Sequence, residues 1–273
     1  MSPRSRSLRE ILRVKPGSRI RLADIDPNAT HGREKQTSAA ELQTGLTRLT
    51  DLQDRLWAEQ KHPVLIVLQG IDAAGKDGSV KHVMSAFNPM GCTVTSFKVP
   101  TPIELAHDYL WRVHQRAPGK GEIAIFNRSH YEDVLVVRVH DIVPKKVWSK
   151  RFAQINAFEE LLTSTGTTII KFFLWIDRDE QKARFQDRLD DPDKRWKFRL
   201  GDLAERKLWD SYVAADEEVL RRCSTDAAPW YVIPANRNWF RNLAIADIVA
   251  DTLDELNPRY PPAPEDLTGV VIE

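Results

Sequence analysis

The stretch Val64-Leu65-Ile66-Val67-Leu68-Gln69-Gly70-Ile71-Asp72-Ala73-Ala74-Gly75-Lys76-Asp77-Gly78 has the layout of a phosphate-binding loop. An apolar, β-branched run stops at Gly70, Gly75 and Lys76 follow, and a helix-compatible segment begins. In such a loop backbone N–H groups converge on an anion at the positive end of the helix dipole. Gly70, Ala73, Ala74, Gly75 and Gly78 form the candidate cradle, Lys76 its point charge, and Lys81 a further cation in the following helix. A bare G-x-x-x-x-G-K arises by chance in roughly one chain of this length in ten, and its placement between strand and helix removes most of that risk. Where the pattern wants Ser or Thr, Asp77 stands instead. A carboxylate beside phosphates repels them unless a cation intervenes, so this is not a standard ATPase loop. Asp72, a second acid inside the loop, either holds Mg²⁺ directly or through water or caps the loop through backbone hydrogen bonds.

A second constellation follows the apolar run Ile123-Ala124-Ile125-Phe126, which ends in Asn127-Arg128-Ser129-His130-Tyr131-Glu132-Asp133. Phosphate-loop proteins usually end a second strand in an acid that holds the metal. Here Asn127 is a neutral ligand, and Glu132 and Asp133 follow closely enough to restore the charge. Arg128 falls at the carboxyl end of a central strand, where α/β sheets bind ligands; a plain surface arginine is the competing reading.

A third cluster spans 178–207, with Arg178, Lys182, Arg184 and Arg188, then Lys194-Arg195-Trp196-Lys197-Phe198-Arg199. Arg184 and Arg188 are four apart and share a helix face. Its ten bases against eight acids fit a solvated face. Its place after a sheet strand fits a mobile lid that excludes water. Trp196 either stacks a base or anchors that lid. Arg237 and Arg241 lie near the same sheet edge, after the last strand. The histidines, among them His82, His130 and His140, show no metal spacing, and none is assigned a catalytic role.

These residues need a frame. Strands are expected at 64–69, 92–98, 122–127, 168–176 and 229–234, and helices at 78–88, 102–116, 145–164, 178–189, 203–223 and 238–256. That alternation, with strands that are continuous apolar runs, predicts one doubly wound α/β domain on a parallel five-stranded sheet. Residues 1–35 are expected as an irregular arm with a short helix around 8–14, 36–257 as the domain with a lid at about 184–207, and 258–273 as a C-terminal extension. From Ser38, the expected cap, Leu42, Leu46, Leu49 and Leu56 form one helical face, read as core packing.

Composition narrows the class. The 273 residues suffice for a sizeable core, and 40 basic against 39 acidic residues leave a net charge of +1. Overall charge therefore predicts neither nucleic acid nor an anionic membrane as partner. Cys92 and Cys223 are too few for a disulfide scaffold and lack metal spacing, as expected of thiols in a reducing cytoplasm. With no apolar leader and no long apolar span, a cytoplasmic location is expected.

Taken together, these motifs resemble the polyphosphate kinase 2 family from about Val14 to Tyr260. The resemblance is carried by the Asp-Ala-Ala-Gly-Lys loop and Asn127 to Asp133. Arg184-Phe185 with Arg188, Asp191-Pro192, Lys194-Arg195-Trp196-Lys197 and Ala228-Pro229-Trp230 add to it. Arg-Val-Lys-Pro-Gly at 13–17, with the Asn127 motif, resembles the class III branch, which phosphorylates nucleoside mono- and diphosphates. The resemblance implies a P-loop kinase, thymidylate-kinase-like, with a helical lid. It implies transfer of the terminal phosphoryl group of inorganic polyphosphate to AMP and ADP, or to GMP and GDP, with Mg²⁺ or alternatively Mn²⁺. Asp72 then aligns metal and acceptor, Lys76 is the loop lysine and Arg128 the arginine of the second motif. Arg184, Arg188 and Lys197 fall on lid positions, and Arg241 on an arginine near the last helix. Asn127 stands where other branches often have Asp, which shifts load to Glu132 or Asp133. Glu132 would also set how far a nucleotide's phosphates enter. A homo-oligomer, dimer or tetramer, is expected if the arm and leucine face pack on a second subunit. An ATP-using thymidylate-kinase-type enzyme is the alternative, though it normally keeps the missing Ser or Thr. A degenerate binding module would lack the acids, and a guanine-nucleotide switch would carry Asn-Lys-x-Asp.

Overall fold

Five parallel strands in the order β2-β3-β1-β4-β5 carry every candidate loop at one edge of a single sheet. The computed structural model describes residues 7–266, 268 and 270–272. In chain order the elements are α1 (Leu8–Leu12), α2 (Lys35–Glu59), β1 (Val64–Gly70), α3 (Lys76–His82), β2 (Cys92–Ser96), α4 (Pro102–Leu105), α5 (Trp111–His114) and β3 (Ile123–Asn127). There follow α6 (Val136–Val139), α7 (Lys145–Ser164), β4 (Thr168–Trp175), α8 (Arg178–Asp190), α9 (Leu200–Lys207), α10 (Trp209–Cys223), β5 (Trp230–Pro234) and α11 (Asn238–Leu256).

Side chains alternate across a strand, and β1 shows what that does here. Val64, Ile66 and Leu68 pack with α1, α2 and α11, whereas Leu65 and Val67 pack with α7 and α10. Both faces of the sheet are covered, which is why its strands read as unbroken apolar runs. The expected doubly wound five-stranded α/β sheet is the fold found, with four strands within a residue of expectation. The fifth, β2, is two residues shorter and pairs with β3 alone.

The helices depart further, each for a local reason. The expected helix at 102–116 is two single turns, because Asp108 Oδ1 accepts the Leu110 N–H at 2.9 Å and builds a turn in place of the ladder. The expected helix at 203–223 divides at Leu208 into α9 and α10; α9 begins earlier, where the Asp202 carboxylate accepts the Arg199 N–H at 3.1 Å. Ser38 is not a cap. It lies inside α2, buried, with its hydroxyl donating to the Lys35 carbonyl at 2.7 Å.

The arm and the leucine face are both consumed within the chain. Leu8 and Leu12 enter one core and Val14 and Leu22 the other, while the Val14 N–H donates to the Trp230 carbonyl at 2.8 Å beyond β5. Leu49 and Leu56 are fully buried in the core shared with α11. Past α11, Tyr260 donates to Asp54 at 2.6 Å, which returns the tail to α2. Among the described residues no helix is long and apolar enough to cross a membrane.

Candidate active site

β1 is followed by α3 on one face of the sheet, and its neighbour β3 leads to α6 and α7 on the other. Adjacent strands whose connections diverge leave a crevice at their carboxyl ends. The loop of Asp72 and Lys76 therefore meets Asn127 and Arg128 there; Leu68 is paired with Asn127, and the Arg128 N–H donates to the Leu68 carbonyl at 3.0 Å.

The loop backbone is strained and held. Gly70 has φ +151°, and a Cβ there would stand 2.6 Å from the Leu174 carbonyl oxygen, so only glycine fits. Ala73 (φ +66°) and Arg128 (φ +62°) occupy the left-handed region without being glycine, at about 1–3 kcal/mol each. Such strain persists where surroundings over-determine it. Arg184 donates to the carbonyls of Ala73 (2.9 Å), Ala235 (2.6 Å) and Asn236 (3.1 Å) and pairs with Glu180 at 2.7 Å. Gln181 donates to the Asp72 carbonyl at 3.1 Å. Arg241, 2% exposed, is held by Asn238 (2.7 Å) and Asn242 (2.9 Å) and lies so close that a Cβ at Gly75 would overlap its guanidinium. Burial, with the neighbouring Arg184 charge, brings Arg241 down to about 10.

Above this frame sit the charges. Lys76 is 8% exposed and donates to the Gly70 (2.6 Å) and Ile71 (3.2 Å) carbonyls; burial, then the Arg128 charge, push it down to about 8. Asp72 accepts from Arg128 at 3.1 Å, and Asp77 from the Asn127 amide at 2.8 Å. Glu132 accepts from Gln69 at 3.1 Å and stands 3.9 Å from Arg128. Asp72 and Asp77 thus offer two accessible carboxylates at the loop mouth, a donor set that suits a hard divalent cation.

Asp133 does not join them. Its carboxylate is tied to Arg151 at 2.8 Å, and burial raises it to about 6 despite that cation, so its expected metal role is not supported. Lys81 is exposed in the last turn of α3, roughly 7–8 Å along the axis from Lys76. Gly78 does belong to the loop frame, against Arg241.

The residues expected on a lid divide. Arg184 belongs to the loop frame rather than to a lid, whereas Arg188, half-buried, lies over Phe185 at 5.3 Å. Lys194 is paired with Asp191 at 2.7 Å, and Lys197 sits over Trp196, itself 76% exposed. Among the described residues, none of these four side chains makes a hydrogen bond or ion pair to the loop. Arg237 is exposed at the start of α11.

No sequence motif singles out Gln69, Gln181 or Asp216. Asp216 is buried on α10, and its carboxyl is held well above the usual range by burial and by the Glu132 charge. A signal existed for Gln181, three residues before Arg184 and so on its helix face.

A strand-loop-helix cradle with its lysine, an arginine across the crevice and acids at the mouth defines a P-loop phosphotransferase. The family model described as polyphosphate kinase 2 matches residues 32–261, and the chain belongs to that family. The AMP/ADP-polyphosphate phosphotransferase of Meiothermus ruber is 53% identical over 263 residues, which cover 96% of this chain and 98% of that one. The ADP-polyphosphate phosphotransferase of Rhodopseudomonas palustris is 45% identical over 81% of this chain and 80% of its own. The crystal structure of polyphosphate kinase 2 from Arthrobacter aurescens TC1 superposes with a TM-score of 0.92 at 43% identity, covering 96% of this chain and 94% of that one.

Proposed function

We propose that the protein moves the terminal phosphoryl group of inorganic polyphosphate to AMP and ADP, giving ADP and ATP. The observation that carries this reading is the pairing across the crevice, Asp72 on Arg128 and Asp77 on Asn127, above a loop whose Ser or Thr has been replaced by an acid. It is supported by two relatives whose names state polyphosphate phosphotransfer to AMP/ADP or to ADP.

Catalysis here is positioning and charge neutralisation. The loop N–H groups and Lys76 receive the polyphosphate end, Lys76 exchanging the Gly70 and Ile71 carbonyls for a phosphate oxygen. Arg128, already between Asp72 and Glu132, neutralises charge on the group in flight. An acceptor phosphate oxygen is anionic near neutral pH, so no strong general base is needed. Glu132, fixed by Gln69, sets by repulsion how deep the acceptor's phosphates enter. Asp72 and Asp77, with the Asn127 amide, would hold Mg²⁺ (or Mn²⁺), which when bound supplies neutralising charge between the phosphates. Arg188, Lys194, Trp196 and Lys197 close over the substrates from the lid.

The test is incubation with AMP or ADP and polyphosphate in magnesium, without nucleoside triphosphate. ADP and ATP are the expected products. Phosphorylation only when a nucleoside triphosphate is supplied would establish the thymidylate-kinase-type alternative.

A further inference from the structure

Between Arg128 and Glu132 the chain turns inward, and the three residues of that turn are completely buried: Ser129, His130 and Tyr131 are each 0% exposed. They meet a charge in the middle of an otherwise apolar strand. Lys171 of β4 is 0% exposed and Glu159 of α7 is 2% exposed. The Lys171 ammonium donates to Glu159, to the Tyr131 hydroxyl at 2.9 Å and to the Cys223 carbonyl at the end of α10 at 2.7 Å. All three of its protons are placed. The other Glu159 oxygen accepts from the Tyr131 hydroxyl at 2.7 Å and faces His130 Nε2 at 3.2 Å. Burial keeps His130 neutral, and its Nδ1 is left without a partner.

A buried ion pair contributes little net stability compared with apolar residues of the same volume, so folding alone does not call for this one. What it supplies is fixed position. The network clamps the middle of a segment whose two ends present Arg128 and Glu132 to the crevice, and Arg128 holds a left-handed φ that needs such support.

We propose that Lys171 and Glu159 are positioning residues for Arg128 and Glu132, acting through His130 and Tyr131 to set the reach of the second motif into the phosphoryl-transfer site. The inference rests on the reading of Arg128 as a site residue. Its test is the pair variant Lys171→Met with Glu159→Gln, which removes both charges but leaves an amide oxygen for His130 and Tyr131. The expected result is a cooperative melt close to wild type and a kcat lower by about tenfold to a hundredfold, with KM for the nucleotide changed less than about threefold. A double-mutant cycle with Arg128→Lys should be clearly non-additive, since both changes act on one group. If the pair variant does not fold, Tyr131→Phe, which opens one bond of the network, is read for the same split and the same cycle. Wild-type kcat in the folded variant, or additive losses, overturns the positioning role. Wild-type turnover in Arg128→Lys alone overturns the reading of Arg128 and the inference with it, so the two failures are distinguishable.

Discussion

The loop frame and the segment proposed as a lid are both rich in arginine and lysine, yet their cations are used differently. In the frame, Arg184, Arg241 and Lys76 are largely buried: Arg184 and Lys76 donate to backbone carbonyls that bound the loop, and Arg241 is fixed by Asn238 and Asn242 of its own helix against Gly75. In the proposed lid segment, Lys194 pairs with Asp191 on its own turn, Lys197 covers the adjacent Trp196, and Leu200 is 82% exposed. One region is organised before a phosphate arrives; in the other, Lys194 and Lys197 have only neighbours a few residues away. Preorganised charge lowers the barrier because nothing need reorient during transfer. Exposed charge contributes chiefly to attraction and is screened by salt. Damage to the frame should therefore appear in kcat and in stability, and damage to the lid in KM.

The largest break is at Asp72, one of the two open carboxylates at the mouth. Asp72→Asn should lower turnover by about a hundredfold to a thousandfold while leaving the melting temperature near wild type, because the side chain's only described bond is to Arg128. Steady-state rates in excess magnesium check this, and wild-type turnover would remove Asp72 from the site. Next is Arg184→Ala. It takes the donor from the Ala73, Ala235 and Asn236 carbonyls and should cost about 2–3 kcal/mol in urea unfolding, with kcat down roughly tenfold. A lid residue would instead leave the unfolding midpoint unmoved.

A smaller effect comes from pH. Lys76 is held down to about 8 by burial and by Arg128. It is charged below that pH and neutral above it, and only the charged form attracts a phosphate chain. Affinity for tripolyphosphate should therefore be flat below pH 8 and weaken above it. Bound anion raises the lysine, so binding on the alkaline side takes up protons. Titration calorimetry in buffers of different ionisation enthalpy reads that uptake directly, and an alkaline limb unchanged in Lys76→Arg would assign it to another group.

How much of this was legible depended on the range of the interactions. The cradle is local: the spacing of Gly70, Gly75 and Lys76 after an apolar strand encodes it, and the sheet followed from apolar runs. Arg184 and Arg188 share α8 as their spacing implies, but the first reaches a turn 51 residues further on, which no local pattern reports. Glu132 and Asp133 are adjacent, yet in their single tight turn one faces Arg128 and the other Arg151. Lys171 stands in plain view within 168–176, but its partners lie 12 to 52 residues away, so its burial was invisible. The helix break near Asp108 is hidden from the sequence because periodicity is blind to a side chain that bonds nearby backbone.

The gentlest test is the lid itself. Lys194→Ala with Lys197→Ala removes an exposed ion pair and an exposed cation over Trp196, and exposed pairs of this kind are worth little to folding. Unfolding free energy should stay within about 0.5 kcal/mol. If the lid cations meet the phosphate chain on closure, KM for polyphosphate should rise several-fold and kcat hold within about twofold, since the frame is untouched. The KM difference should also shrink as salt is raised from ~50 to ~200 mM, because screening removes from wild type what the substitutions removed from the variant. An equal loss in kcat at every salt concentration would place these lysines in the preorganised half of the molecule, and the contrast between frame and lid would then fail at the positions where it is sharpest.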